Sequence, residues 1–136
     1  MTWHLNNLKF EPTEDELKQW VGFVYLITDR SSGKKYVGKK FFWSKRRLPP
    51  LKGKSRKRVV VKESDWKQYY GSSEDLKTLV ETKGEDHYYR EILHLCKSKG
   101  ECSYMELKEQ VDREVLFRDD YFNEFIGCKI HSKHLK

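Results

Sequence analysis

The pattern of apolar and polar positions predicts a β-hairpin in the first third of the chain. Residues 23–28 form an almost unbroken apolar run, rich in β-branched and aromatic side chains, as in a strand that is buried on both faces. Residues 29–33 are a turn cluster that ends in glycine, and residues 34–38 resume the strand-forming pattern. The two stretches and their loop are typical of an antiparallel hairpin.

Helical patterns flank this hairpin on both sides. Residues 13–20 predict a short helix with Thr13 as its N-cap. A second helix is predicted after residues 71–73, because a serine at the cap is followed by acidic residues in the first turn. We expect this second helix to end at Gly84 and to bury Leu76, Leu79 and Val80.

The last third of the chain predicts one more strand and one more helix. Residues 88–96 have the pattern of a third strand. Ser103 and Glu106 have the spacing of a capping box, which predicts a helix that begins at Ser103. Four apolar residues spaced three and four apart are expected to form its buried stripe: Tyr104, Leu107, Val111 and Val115.

The order of these elements predicts an α+β fold. We expect a small antiparallel or mixed three-stranded sheet that is flanked by helices and carries a basic arm. A chain of 136 residues leaves room for one domain and little more. We therefore predict a single domain over residues 1–136, with a basic insertion at about 39–62.

Charge is concentrated in that insertion. The chain has a net charge of +7, and residues 39–62 contain eleven Lys and Arg with no Asp or Glu. Such a segment predicts a polyanion-binding surface whose affinity falls with salt, although a solvated basic loop without a partner is the alternative. The candidate nucleic-acid-binding residues are Lys39, Lys40, Lys45, Arg47, Arg56, Lys57 and Arg58.

The local structure of the insertion is less regular. Two prolines at 49–50 and a glycine at 53 exclude a continuous helix. Residues 42–48 are compatible with a short helix before the prolines, and residues 59–61 with a brief strand pairing or with packing on the sheet.

Targeting signals and cysteine usage indicate a cytoplasmic protein, within the host cell if it is phage-encoded. No apolar run approaches the roughly 18 residues of a membrane span, and the N-terminus lacks the layout of a secretory signal. Three cysteines do not resemble a disulfide framework. A zinc site from Cys96, Cys102, Cys128 and His131 stays open beside buried thiols without a ligand.

The hairpin carries the motif with the most chemical content. Its strands present Phe23-Val24-Tyr25 and Tyr36-Val37-Gly38, with Arg46 ten residues after the second tyrosine. The string VYLITDRSSGKKYVGKK resembles the GIY-YIG nuclease family, in particular its small phage-type, homing-endonuclease-like members. The resemblance covers residues 21–130. Two positions depart from the family pattern, because Phe23 replaces the first glycine and Pro50 stands where many members have histidine or lysine.

The resemblance implies a DNA endonuclease that hydrolyses phosphodiester bonds with Mg²⁺ or Mn²⁺ and leaves a 5′-phosphate. In this reading Tyr25 positions or deprotonates the attacking water, Tyr36 lies beside it, and Arg46 on a following helix holds the phosphate. Glu106 is the implied metal ligand, and Asn123 supports the site. Arg47 is the alternative to Arg46, and Glu109 is the alternative to Glu106.

Several alternatives follow from the same residues. Tyr25 and Tyr36 are also compatible with ordinary strand aromatics that face a core. Residues 66–73 combine aromatics with a helix N-terminus, which suits either a phosphate contact or core packing that leads into a cap. The second functional class is a non-catalytic DNA- or RNA-binding module that keeps the fold and the basic arm. Double-stranded and branched DNA are both open as the partner, and the protein can act as a monomer or an oligomer.

Overall fold

The structure, a computed structural model, describes residues 2–127 and 131–135 of the chain. Its strands and helices follow one another in the order β1 (His4–Leu5), β2 (Leu8–Lys9), α1 (Glu14–Leu17), β3 (Gly22–Asp29), β4 (Lys35–Phe41), β5 (Trp43–Leu48), β6 (Arg58–Glu63), α2 (Glu74–Lys83), β7 (Tyr88–Cys96) and α3 (Lys99–Asp112). Single 3-10 turns lie at Trp66–Gln68, Glu85–His87 and Ser132–His134. The α+β prediction is confirmed.

The main sheet has five strands in the order β2-β1-β7-β3-β4. The three predicted strands, β3, β4 and β7, form its larger part and pair antiparallel. The sheet is mixed because β1 runs parallel to β7. The small β1–β2 hairpin was not predicted, although Asn6 and Asn7 in its turn have positive φ and are a frequent residue type for two-residue hairpin turns.

Strand β3, which lies between β7 and β4, is buried on both faces, as predicted. Phe23, Tyr25 and Ile27 belong to an aromatic core cluster on one face, which also contains Trp66 and Leu76. Alternate residues along the same strand point into a second cluster on the other face, together with buried residues of β4, β7 and α3: Val24, Leu26, Val37, Cys96 and Cys102. The sheet therefore separates an aromatic layer from the layer that contains α3.

The predicted short helix at residues 42–48 is wrong. Residues 43–48 form strand β5, which pairs antiparallel with β6 in a separate two-stranded sheet, while the expected pairing of residues 59–61 is confirmed. The physical reason lies in the partner strand. A run of three valines favours extended backbone, and it offers a ladder of hydrogen bonds that outweighs the weak helix tendency of a seven-residue segment.

The predicted caps of the first two helices are confirmed. Thr13 accepts a hydrogen bond from the Glu16 N–H at the start of α1, and Ser73 accepts one from the Leu76 N–H at the start of α2. Helix α2 ends at Gly84, whose φ of 94° lies in the region that glycine adopts readily.

Two predictions for α3 are wrong. The helix begins at Lys99 with Ser98 as its N-cap, four residues before the predicted start at Ser103. Its buried helical residues are Cys102 and Gln110, whereas Tyr104 and Val111 of the predicted apolar stripe are 44% and 54% exposed. Val115 of that stripe is buried as predicted, but it lies beyond the end of the helix. The helix turns a partly polar face inward because that face meets the edge of β4, where backbone groups need hydrogen-bond partners.

Among the described residues, no helix is both long and apolar enough to cross a membrane. The zinc hypothesis gains no support there either. Cys96 and Cys102 are buried free thiols, and His131 interacts with His134 in a terminal turn. The described part of the chain contains no group of three His, Cys, Asp or Glu side chains that is placed to hold a metal, and Cys128 lies outside it.

Candidate active site

Strand β4 lies at an edge of the sheet, and side chains complete its hydrogen bonding. Near its start, the Lys35 carbonyl accepts a 2.7 Å hydrogen bond from the Phe122 N–H. At Val37 the carboxamide of Asn123 replaces a neighbouring strand, because its Oδ1 accepts from the Val37 N–H at 3.0 Å and its Nδ2 donates to the Val37 carbonyl at 2.8 Å. Gln110 donates a further hydrogen bond of 3.2 Å to that carbonyl. The segment after α3 is thereby attached to the hairpin.

Glu106 continues this row along the same edge. The backbone of Lys39, two residues beyond Val37, acts to lower the pKa of the Glu106 carboxyl. The Lys39 ammonium lies 4.0 Å from Glu106 Oε1 and donates to Ser103 Oγ at 2.7 Å. The Glu106 side chain is 17% exposed, so it combines a fixed position with access to solvent.

Tyr25 lies behind the edge, on the aromatic side of the sheet. It pairs with Gly38 across the hairpin, and its phenol occupies the space that a side chain at Gly38 would fill. A Cβ at Gly38 would lie 2.6 Å from Tyr25 Cζ and 3.0 Å from Tyr36 Cε1. The last glycine of the hairpin motif therefore permits the two phenol rings to meet over β4, with 6.2 Å between their centroids.

A third phenol joins this pair. The rings of Tyr25 and Tyr69 meet edge to face with centroids 6.0 Å apart, and Tyr69 is close enough to raise the pKa of the Tyr25 hydroxyl. The Tyr36 hydroxyl lies 2.8 Å from Ser72 Oγ, just before the N-cap of α2. Tyr25 is only 1% exposed, whereas Tyr36 is partly exposed, so Tyr36 presents its phenol to solvent and Tyr25 stands behind it.

These elements surround a pocket of about 470 Å³. Four parts of the chain line it: β4, the start of α2, the inner face of α3 and the segment that follows α3. The lining residues are Tyr36, Ser72, Ser73, Glu74, Asp75, Glu106, Gln110, Phe122, Asn123, Glu124, Phe125, Ile126 and Gly127. The pocket brings Tyr36, Glu106 and Asn123 together, although they are far apart in sequence.

Burial alters the acid–base behaviour of the site. Burial raises the pKa of Tyr25 well above its ordinary value, and the neighbouring Tyr69 and Tyr36 add to the effect. Burial also raises the pKa of Tyr36, against a hydrogen bond from Ser72 that lowers it. The pKa of Glu106 is raised by burial as well, while the positive charge of Lys39 acts in the opposite direction. Both phenols are therefore neutral at neutral pH.

The structure does not bring Arg46 into this pocket. Arg46 and Arg47 lie on strand β5, opposite Val60 and Val59, and both are exposed. The implied position of Arg46 on a helix is therefore wrong. Of the predicted nucleic-acid-binding residues, two lie on β4 beside the site, and the others lie on β5, on β6 or in the loop between them: Lys39 and Lys40 in the first group, and Lys45, Arg47, Arg56, Lys57 and Arg58 in the second.

Glu109, the alternative ligand, lies on another side of α3. Its carboxylate lies 2.8 Å from His94 Nε2 and accepts a 2.8 Å hydrogen bond from Arg113 Nε. Glu109 does not line the pocket, whereas Glu106 does.

Three polar residues of the site were not singled out from the sequence. Tyr69 and Ser72 fall in the segment of residues 66–73, whose aromatics and small residues were compatible with either packing or phosphate binding. Gln110 is buried on the inner face of α3 and gave no signal in the apolar pattern. A polar residue one helical turn after Glu106 is the feature that could have identified this face.

Comparison with known protein families adds a sequence-level finding to this geometry. A family model described as "Putative endonuclease segE, GIY-YIG domain" matches residues 3–126. That match includes all strands of the main sheet, all three helices and every pocket residue except Gly127. No curated protein and no solved structure matches this chain.

Proposed function

This chain belongs to the GIY-YIG domain family of putative endonuclease segE, and from that premise we propose that it is a divalent-metal-dependent endonuclease that hydrolyses DNA phosphodiester bonds. The observation that supports the proposal most is the joint placement of Tyr36, Glu106 and Asn123 around one pocket. Metal-assisted attack of water on a phosphodiester needs polar groups such as a phenol and a carboxylate beside a space that is open to solvent.

We assign different parts to the two hairpin tyrosines. Tyr36 lines the pocket and contacts the attacking water or a phosphate oxygen through a neutral hydroxyl. Tyr25 is a positioning residue, because it is almost fully buried and reaches the pocket only through Tyr36 and Tyr69. Direct proton removal by Tyr25 is disfavoured, since its raised pKa keeps the phenol protonated.

Glu106 is the proposed metal ligand. Mg²⁺ takes oxygen ligands and retains several waters, so one half-buried carboxylate in an open pocket fits it, and Mn²⁺ accepts the same donors. A bound ion would lower the pKa of a coordinated water and offset negative charge on the phosphate. The Lys39 ammonium, 4.0 Å from Glu106 Oε1, favours the charged form of the carboxylate that this contact needs.

Lys39 is the proposed phosphate-binding cation beside the pocket, in place of Arg46. Its ammonium is within 4.0 Å of Glu106, which lines the pocket, whereas Arg46 lies on a separate sheet. We assign Arg46 to DNA binding outside the pocket. The two roles predict different defects: Lys39→Ala lowers the cleavage rate at saturating protein, and Arg46→Ala weakens DNA binding.

Plasmid cleavage tests the proposed function. Supercoiled plasmid is incubated with the protein and Mg²⁺ or Mn²⁺, and nicked and linear products are quantified, with EDTA as the metal-free arm. We expect Glu106→Ala and Tyr36→Phe to lose about 100-fold or more in rate, and Tyr25→Phe to lose less. Nicks that a DNA ligase seals would show the expected 5′-phosphate.

The matched control is Glu109→Gln, which changes a carboxylate on the same helix outside the pocket. It should cleave at close to the wild-type rate. If wild-type protein binds DNA and does not cleave it with either metal, the endonuclease proposal is wrong and a non-catalytic nucleic-acid-binding module takes its place.

A further inference from the structure

Strands β5 and β6 form a two-stranded ribbon that is separate from the main sheet. Each strand has six residues, so the ribbon is about 20 Å long, and residues 49–57 connect the strands at its tip. All of β6 is exposed, including three consecutive valines, Val59, Val60 and Val61, at 57%, 41% and 53%. We call residues 43–63 the ribbon.

An isolated, exposed two-stranded ribbon is expected to bind a partner. Isolated two-stranded hairpins are marginally stable in water, and unpaired strand edges invite association with other strands. Positive charge along the ribbon opposes self-association, since nine Lys and Arg lie between Ser44 and Glu63 with no acidic residue between them. The same charge attracts a polyanion.

The strand register divides the ribbon into two unequal faces. Directly opposed residues of an antiparallel pair share a face. One face, which we call the arginine face, contains the pairs Ser44–Lys62, Arg46–Val60 and Leu48–Arg58. The other, the tryptophan face, contains Trp43–Glu63, Lys45–Val61 and Arg47–Val59. The arginine face has three cations and no acid, and the tryptophan face has two cations and one acid.

Trp43, at the root of the ribbon where it joins the main sheet, also distinguishes the two faces. Trp43 packs against the aromatic core cluster and donates a 3.0 Å hydrogen bond to the Trp20 carbonyl. The tryptophan face is therefore turned toward the body of the protein at the root. At the root the arginine face is turned away from the body, and beyond the root the residues of both faces are mostly exposed.

We propose that the arginine face of the ribbon lies in the major groove of double-stranded DNA and positions the duplex against the pocket. This inference rests on the proposed function for the identity of the substrate. The major groove, about 12 Å wide, admits a two-stranded β-ribbon, whereas the minor groove, about 6 Å wide, would have to be widened at an energetic cost to take one. Arginine side chains suit both phosphates and the guanine edge in that groove.

Single-stranded DNA fits the ribbon poorly. Proteins that bind single strands stack successive bases on aromatic side chains. Residues 44–63 contain no aromatic residue. The ribbon therefore offers charge to a single strand without a surface for its bases, which favours the duplex.

Two double variants test the face assignment at equal charge loss. Arg46→Gln/Arg58→Gln changes the arginine face, and Lys45→Gln/Arg47→Gln is the matched control on the tryptophan face. Binding is measured by fluorescence anisotropy on a duplex of 25 base pairs and on its single strand, in a Glu106→Gln background that separates binding from cleavage. We expect the first variant to weaken duplex binding about tenfold or more, and the control about threefold or less.

The groove is tested by dimethyl sulfate footprinting, because this reagent methylates guanine N7, which is exposed in the major groove. Wild-type protein should protect guanines on the duplex, and Arg46→Gln/Arg58→Gln should lose that protection. Equal losses in the two double variants, absence of N7 protection, or equal affinity for duplex and single strand would each overturn the proposal. These results do not depend on cleavage, so an inactive wild-type protein would refute the endonuclease and leave the ribbon test standing.

Discussion

At the scale of single residues, the site depends on which side chain is absent as much as on which are present. Gly38 leaves room over β4 for the phenols of Tyr25 and Tyr36. Phe23 stands where the motif has its first glycine, and Gly22 precedes it by one residue. A Cβ at Gly22 would lie 2.7 Å from the Lys40 carbonyl oxygen. The shift by one residue therefore keeps a glycine where the backbone of β4 approaches β3 closely.

The variant Gly38→Ala tests the space over β4. Its methyl group would displace Tyr25 and Tyr36, so we expect a destabilisation of about 1–3 kcal/mol together with a strong loss of plasmid cleavage. Thermal unfolding and cleavage are measured for Gly38→Ala, Tyr25→Phe and the double variant. Removal of the Tyr25 hydroxyl should recover part of the stability in the double variant, and strictly additive losses would show that the two groups do not compete for space.

The Asp29 carboxylate is a buried charge that hydrogen bonds and an ion pair stabilise. Asp29 is 1% exposed, accepts hydrogen bonds from Ser31 and pairs with Lys83 at 3.0 Å. Burial acts to raise its pKa, but the hydrogen bonds from Ser31 and Lys83 hold the pKa well below the ordinary value. A depressed folded-state pKa stabilises the protein above the unfolded value of about 4, and this contribution is lost as pH falls below it.

We therefore expect Asp29→Asn to lower the free energy of unfolding by about 1–3 kcal/mol at pH 7, and the difference from wild type to shrink at pH 3. Urea unfolding at both pH values measures this. The control Asp112→Asn breaks an exposed pair with Lys108 and should cost less than about 0.5 kcal/mol. A difference that stays constant with pH would assign the effect of Asp29 to packing and not to charge.

At the scale of elements, the edge of β4 is the place where α3 and the segment after it attach to the main sheet. The Val37 N–H and carbonyl are both satisfied by Asn123, and the carbonyl has a second donor in Gln110. The same edge carries the backbone contact to Glu106. The segment after α3 thus closes the sheet and forms one wall of the pocket, which explains why a supporting asparagine lies so far from the hairpin in sequence.

Removing the side chain of Asn123 should lower the free energy of unfolding more than removing the side chain of Gln110. Asn123→Ala leaves the buried Val37 N–H without a partner, whereas Gln110→Ala leaves the Val37 carbonyl bonded to Asn123. We expect costs of about 1–3 kcal/mol and about 1 kcal/mol respectively, with faster amide exchange at Val37 only in Asn123→Ala. Equal costs and unchanged exchange would show that the carboxamide does not complete the strand.

At the scale of the whole molecule, the protein has a body that contains the pocket and a ribbon that carries most of the excess charge. The ribbon joins the body at its root, where Ser64 donates to the Phe41 carbonyl and the Lys40 ammonium pairs with Asp65 at 2.6 Å. Beyond the root, most ribbon residues are exposed. The body should therefore fold without the distal ribbon.

A shortened ribbon tests this division. Residues 46–60 are replaced by Asn-Gly, a two-residue turn that joins the paired residues Lys45 and Val61. Seven cations are removed, so DNA binding should weaken and its dependence on salt should become shallower by about 0.9 in the log–log slope for each lost phosphate contact. The melting temperature should stay within a few degrees of wild type, and a collapse of stability would show that the ribbon supports the core.

Local sequence determined the elements whose stabilising contacts lie close along the chain. Serine and threonine caps act over three residues, and the hairpin follows from a period-two pattern with a short turn, so α1, α2, β3 and β4 were predictable. The family motif and the cationic segment are likewise continuous in sequence. They pointed to the hairpin tyrosines and to a polyanion-binding arm before any tertiary contact was known.

The tertiary structure decided everything that depends on distant partners. Residues 43–48 became a strand because β6 pairs with them, and α3 turned Gln110 inward because the β4 edge needed donors. Val37 and Asn123 are 86 residues apart, and Tyr36 and Ser72 are 36 residues apart. Contacts of this range leave no periodic trace in sequence, since each depends on the three-dimensional position of an edge with unsatisfied backbone groups.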